Sequence, residues 1–202
     1  MFDGVLRKGI DPRLNRAGVR LAAFGWRADQ ITIVGLALGV MAAVMLAVGL
    51  PGAVCLIPLL ASRLADGLDG AVARASAKTD FGGVLDIVAD FAFYGIIPFA
   101  FALRDPTNAL AAAFLLLTFY INGASFLAFA VLAEKKGMET QARGEKSLYF
   151  TAGIMEGGET ILFLTVMCLW PVTFPVLAWI FGVLTLITTG ARMMLARRMF
   201  GG

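Results

Sequence analysis

Five aspartates fall between Ala65 and Asp90, in the run ADGLDGAVARASAKTDFGGVLDIVAD, and the sequence on both sides is almost purely apolar. Asp66 and Asp69 stand three apart, and Asp86 and Asp90 four apart, so each pair shares one face of a helix. Crowded into a dry slot, four carboxylates repel one another and take up protons unless something cationic offsets them. A charge at mid-membrane costs at least about 2.5–3.5 kcal/mol on insertion scales. Arg63 and Arg74 can reach some of this charge, but they flank the cluster. An oxygen-only ligand set suits a hard divalent cation such as Mg²⁺ or Mn²⁺, which commonly shares its shell with substrate phosphates. Gly67, Gly70, Gly82 and Gly83 clear side chains from beside the acids. Gly70, directly after Asp69, lets a bulky phosphorylated group approach the backbone. Arg74, one turn further on, is placed to fork onto a phosphate. The same acids also fit a proton relay or an ion-pair lock in a carrier, and that reading stays open at this point.

The elements that must position these residues are membrane helices. Of 202 residues, 59% are hydrophobic and 15% charged, against roughly 25% charged in soluble domains. The chain is expected to be an all-α integral membrane protein. Six spans, each near the roughly 20 residues a bilayer needs, are expected at about 29–50, 52–75, 80–103, 108–133, 148–170 and 173–195. Pro51-Gly52, Ala75–Thr79, Arg104-Asp105-Pro106, Glu134–Ser147 and Pro171 mark the breaks. Residues 1–28 form an N-terminal cytoplasmic segment with an amphipathic interfacial helix. Its apolar face is Ile10, Leu14, Ala17, Leu21 and Phe24, beside Arg13, Arg16, Arg20 and Arg27. Residues 29–202 are expected to form the six-helix transmembrane domain.

With six spans, all 17 Lys and Arg but Arg104 fall on one side, which makes both termini cytoplasmic. The net charge of +3 reflects those loops, not nucleic-acid binding. At about 1.5 Å of rise per residue, Asp66 and Asp69 lie roughly 22 and 27 Å from the outer end of the second span, and Asp86 and Asp90 roughly 9 and 15 Å from the inner end of the third. All four therefore fall in the cytoplasmic half. A short link makes these two spans neighbours, so the carboxylates can converge. The chain has no histidine, which excludes imidazole zinc sites and histidine bases. Cys55 and Cys168 sit in apolar runs with no metal-binding neighbour.

Further polar residues reach a similar depth: Asn122 and Ser125 in the fourth span, Glu156 and Glu159 in the fifth, and Lys146 and Arg192 near the cytoplasmic rim. They are candidates for a second substrate's pocket. The glutamates favour a cationic or polyhydroxyl compound and the basic residues a phosphorylated one. Pairing between them inside the bundle is the alternative.

The run Asp66-x-x-Asp69-Gly70-x-x-Ala73-Arg74, then Gly82-x-x-x-Asp86-x-x-x-Asp90, resembles the motif of the CDP-alcohol phosphotransferases (CDP-alcohol phosphatidyltransferases). The membrane layout resembles that family over nearly the whole chain, with a bacterial inner-membrane branch the nearest in kind. Two departures stand out. The stretch between Arg74 and Gly82 is one residue shorter than is common, and the first span opens Ala28-Asp29-Gln30-Ile31-Thr32 where the family often has Pro-Asn-x-x-Thr.

The resemblance implies that Asp66, Asp69, Asp86 and Asp90 hold two divalent ions. It implies that Thr32, Asp66, Asp69, Gly70, Ala73, Arg74, Thr79 and Gly82 bind a CDP-diacylglycerol donor, with Gly70 and Ala73 leaving room for its cytidine end. Asp90 is then the base that deprotonates the acceptor hydroxyl, and CMP leaves. The acceptor is an alcohol such as glycerol phosphate or inositol phosphate, met by Asn122, Lys146, Glu156, Glu159 and Arg192. The same resemblance implies a homodimer in the bilayer with a cytoplasmic active site. An ion- or proton-coupled transporter using the intramembrane aspartates is the competing class. A transporter is expected to show inverted repeats and broken spans in matching halves, and the sequence has neither.

Overall fold

Glycine, proline and hydroxyl caps divide the chain into helices. The structure, a computed structural model, describes residues 2–136, 155 and 157–200. Helix α1 (Phe2–Ala23) ends before Gly25, whose φ of +87° is a backbone conformation that suits glycine. The Arg27 amide then donates to the Gln30 side chain at 2.9 Å and opens α2 (Ala28–Ala47). Gly49, at φ +84°, and Pro51 separate α2 from α3 (Gly52–Ala75). The Thr79 hydroxyl accepts the Gly82 amide at 2.9 Å and starts α4 (Asp80–Arg104). A 3₁₀ turn at Pro106–Asn108 leads into α5 (Ala109–Lys135). Helix α6 (Gly157–Leu169) and a second turn at Pro171–Thr173 precede α7 (Phe174–Phe200).

The described elements are all helical, as the sequence predicts. Four are long and apolar enough to cross a membrane: α2, α4, α5 with its leading turn and α7 with its leading turn. Helix α3 has the length, at 24 residues, but carries Arg63, Asp66, Asp69 and Arg74. Helix α6 has 13 described residues, and much of the start of the expected 148–170 span lies outside the described residues. At the N-terminus, Phe24 falls beyond the end of α1 and is 82% exposed. Leu14, Ala17 and Leu21 are partly buried, and Arg13, Arg16, Arg20 and Val19 are exposed. The inward side of α1 packs on α3, where Gly18 meets Ala71 so closely that a Cβ there would lie 2.7 Å from the Ala71 carbonyl carbon.

Small residues also set the tight approach of α2 to its neighbours. Gly35 faces Ala65 of α3, and a Cβ on Gly39 would come within 2.8 Å of the Phe93 ring of α4. Below these contacts lies one apolar core, with Phe93, Ile97 and Phe101 of α4 against Leu46, Leu59, Leu115, Leu164 and Phe181. Phe101 stacks on Phe174 at 4.1 Å, and Phe114 on Trp179 at 4.0 Å. Cys55 and Cys168 are both free thiols buried in this core. The packing makes two groups, α1–α4 and α5 with α7, joined where α4 meets α5.

Candidate active site

Helices α2, α3 and α4 meet around a cavity of about 250 Å³. Helix α3 supplies Asp69, Gly70, Ala73 and Arg74, and the link after it Ala77 and Lys78. Helix α4 and its cap supply Thr79, Gly82, Gly83 and Asp86, and α2 closes the third wall with Ala28, Asp29 and Thr32. Glycine is needed at Gly82, because a Cβ there would come within 3.0 Å of an Asp29 carboxylate oxygen and 2.9 Å of the Thr79 hydroxyl.

Asp69 is 4% exposed, and both of its oxygens are engaged. The Thr32 hydroxyl donates to Oδ2 at 2.6 Å, and the Gly70 amide donates to Oδ1 at 2.6 Å. That pair of donors fixes the carboxylate against the cavity wall. Arg74 lies over Gly70, where a Cβ would sit 3.4 Å from Nη1. Its other terminal nitrogen donates to Asn15 Oδ1 of α1 at 2.8 Å. An arginine already braced by an amide needs less ordering to grip a phosphate.

The four carboxylates do not ring one point, as the sequence led us to expect. Asp69 and Asp86 face the cavity. Asp66 and Asp90 meet instead at Arg63, whose Nη1 donates to Asp90 Oδ1 at 2.8 Å and lies 3.6 Å from Asp66 Oδ1. Arg63 reaches this charge from inside the bundle. Its side chain is 7% exposed, with the guanidinium 3.6 Å from the Phe93 ring centroid. Arg63 lies one turn before Asp66 on α3 and reaches Asp90 of α4, while α2 packs against both helices.

The donor set fits a hard divalent cation in kind: carboxylates at one end of two adjoining helices, in a chain without histidine and with both cysteines in the distant apolar core. As placed, and among the described residues, no three acidic groups stand close enough to share one ion. Arg63 draws two of the four aside.

The second polar cluster joins α5 to α7 and does not line this cavity. Arg192 Nη1 donates to Asn122 Oδ1 at 2.9 Å, to the Asn122 carbonyl at 3.1 Å and to Ser125 Oγ at 2.7 Å. The Thr189 hydroxyl adds a bond to Asn122 Oδ1 at 3.2 Å. Glu159 is partly buried in the first turn of α6. Lys146 and Glu156 lie outside the described residues.

Sequence reasoning missed Asn15 and the cavity positions of Lys78 and Asp29. Only the shortened link and the unusual Ala28-Asp29 opening hinted that this wall differs.

The sequence profile of the family described as CDP-alcohol phosphatidyltransferase matches residues 26–191. The chain belongs to the CDP-alcohol phosphatidyltransferases and is therefore a transferase, which sets aside the ion-coupled carrier. It is 45% identical over 193 residues to the Inner membrane protein YnjF of Escherichia coli (strain K12), covering 95% of this chain and 93% of that protein. Two crystal structures of Mycobacterium tuberculosis phosphatidylinositol phosphate synthase (PgsA1) share the fold at 23% identity. The one with CDP-DAG bound superposes with a TM-score of 0.66 over 91% of this chain and 93% of that one. The one in complex with manganese and citrate gives 0.63 over 90% and 87%.

Proposed function

We propose that this chain transfers the phosphatidyl group of CDP-diacylglycerol to an alcohol and releases CMP, as a step of phospholipid synthesis in the inner membrane. The observation that carries this reading is the three-walled cavity in which Asp69, fixed by Thr32 and the Gly70 amide, lies beside Arg74 and Asp86. The donor and metal binding named for the PgsA1 structures, and the location named for YnjF, support it. The six-span layout, with 29–202 as the catalytic domain, rests on α3 and α6 completing the four long apolar helices. The charge bias of the loops puts both termini and the active site on the cytoplasmic side.

The diphosphate of the donor lies along Arg74 and the Gly70 backbone, and Gly70 and Ala73 leave room for the cytidine end. Thr32, Thr79 and Gly82 shape the wall around it. Asp66, Asp69, Asp86 and Asp90 are the groups that would hold two divalent ions, Mg²⁺ or Mn²⁺. Such ions supply charge neutralisation for the attacking and leaving oxygens. Asp90 takes the proton of the acceptor hydroxyl. That oxygen then forms a bond to the phosphorus that carries diacylglycerol. The phosphoanhydride bond breaks, and CMP departs with the bonding electrons. We assign the acceptor to the phosphorylated polyols, such as glycerol phosphate or inositol phosphate. Arg192, oriented by Asn122 and Ser125, is its phosphate contact, and Lys146, Glu156 and Glu159 complete the acceptor side.

The test is CMP release by purified protein given CDP-diacylglycerol, Mn²⁺ or Mg²⁺ and a panel of phosphorylated polyols. Asp90→Asn should lower turnover about 10²–10⁴-fold while donor binding persists. Wild-type turnover in Asp90→Asn would remove it as the base. Failure of every acceptor to release CMP would remove the reaction.

A further inference from the structure

We propose that Arg63 is a built-in competitor of the metal ions, one that holds Asp66 and Asp90 and yields them as divalent cations load. It is a positioning residue that acts through these two acids. The inference rests on the reading of Asp66 and Asp90 as metal ligands.

Arg63 reaches across from α3 to α4 and touches both acids through a single nitrogen, at 2.8 Å to Asp90 and 3.6 Å to Asp66. No arginine that only snorkels to a headgroup would look like this. The side chain is 93% buried by its 7% exposure, and its Nε is enclosed without a hydrogen-bond partner. A longer bond reaches Ser62 Oγ at 3.4 Å, and Tyr94 stands beside the guanidinium as well. The guanidinium is thus only partly satisfied, so its bond to Asp90 and the ring beneath it hold it in place.

The charge arithmetic makes the competition unavoidable. Four aspartates carry four negative charges, and two divalent ions cancel all of them. A guanidinium still in contact with Asp90 is then repelled by the ion on the same carboxylate, and each weakens the other's hold. Arg63 has somewhere to go. It already lies over Phe93 at 3.6 Å and near Tyr94 at 5.5 Å from the ring centroids, so a cation–π seat remains when the carboxylates turn away. A small swing of one long side chain therefore lets Asp66 and Asp90 join Asp69 and Asp86.

The experiment measures Mn²⁺ binding to purified protein in detergent, read from the spin-resonance signal of free Mn²⁺. It compares wild type with the neutral R63M and the charge-keeping R63K. R63M should bind Mn²⁺ about tenfold more tightly, and R63K should stay within about threefold of wild type. The melting temperature should also cross over: in chelator R63M falls below wild type, and saturating Mn²⁺ raises it by more degrees than wild type. A role confined to holding the helices together predicts the reverse, namely weaker Mn²⁺ binding in R63M. Equal or weaker binding in R63M overturns the proposal, as does equal tightening in R63K. If R63M survives only when purified in Mn²⁺, loss of the bound ion to a chelator is followed instead, and it must be slower than from wild type. Wild-type protein that takes up no Mn²⁺ overturns both this inference and the metal site beneath it.

Discussion

Two arginines turn toward the bundle, Arg63 buried and Arg192 half-buried, and the molecule treats them differently. Arg63 meets two carboxylates and an aromatic ring, so its charge is cancelled where it sits. Among the described residues, Arg192 meets an amide, a hydroxyl and a backbone carbonyl, all of them neutral acceptors. They fix its direction without cancelling its charge. A buried cation held by neutral groups still attracts an anion, whereas one held by acids does not. On the proposed reading, the contrast separates an arginine that tunes a carboxylate cluster from one that meets a phosphate. That reading divides the bundle in the same way, with α2, α3 and α4 around the cavity proposed for the diphosphate and α5 with α7 proposed for the other substrate.

The strongest way to break this contrast is to disturb the acid that neither arginine touches. Thr32→Val keeps the shape of the side chain and removes the hydroxyl that donates to Asp69 at 2.6 Å. Asp69 is then held by one donor in place of two. Partners that orient a metal ligand are typically worth 10–100-fold in affinity or activity, so Mn²⁺ affinity and CMP release should both fall by about that factor. Unchanged Mn²⁺ affinity in Thr32→Val would mean that Asp69 is not a ligand.

The next largest effect sharpens the role of Arg192. Arg192→Met should raise the KM for a phosphorylated polyol about tenfold, the scale of one lost charge-assisted contact, while kcat stays within about twofold and the donor's KM is unmoved. If KM holds and only the melting temperature drops, Arg192 is a brace between α5 and α7. Asn122→Ala should produce a smaller rise in the same KM, because the arginine then loses its aim but keeps its charge.

How far the sequence carried these assignments follows from what helical periodicity encodes. The spacing of Asp66, Asp69, Asp86 and Asp90 put each pair on one face, and the short link led us to expect α3 against α4, whereas each of them packs mainly on α2 and they meet through long side chains such as Arg63 on Asp90. Pro51-Gly52, Arg104-Asp105-Pro106 and Pro171 stand at the breaks between helices. Periodicity does not encode how far one helix is rotated against the next. Nor does it show that Arg63 reaches Asp66 and Asp90 while Asp69 and Asp86 line the cavity. Contacts between residues far apart in sequence were equally hidden, among them Asn15 with Arg74, 59 positions away. At the N-terminus, the pattern suggested an apolar face for lipid, but it could not tell lipid from α3, because Gly18 against Ala71 is a matter of fit and not of polarity.

Arg104 gives the smallest effect and the cleanest contrast with both buried arginines. On the charge pattern it is the lone basic residue assigned to the outer side. Its Nη1 donates to the carbonyls of Leu46 at 3.2 Å and Leu50 at 2.8 Å, where α2 ends and the chain turns toward α3. The Leu46 carbonyl also accepts the Gly49 amide at 3.1 Å, so the arginine adds to the bonds that close this helix end, and a cation near a helix C-terminus meets the negative end of its dipole. This arginine therefore satisfies backbone and serves no substrate. Arg104→Ala should destabilise the protein by about 1 kcal/mol, seen as a melting temperature lower by a few degrees, with Mn²⁺ affinity and both substrates' KM unchanged. A shift in either KM would show that the outer turn is coupled to the cavity through α2, which carries Thr32 and Asp29. The separation drawn between structural and site arginines would then fail at its simplest case.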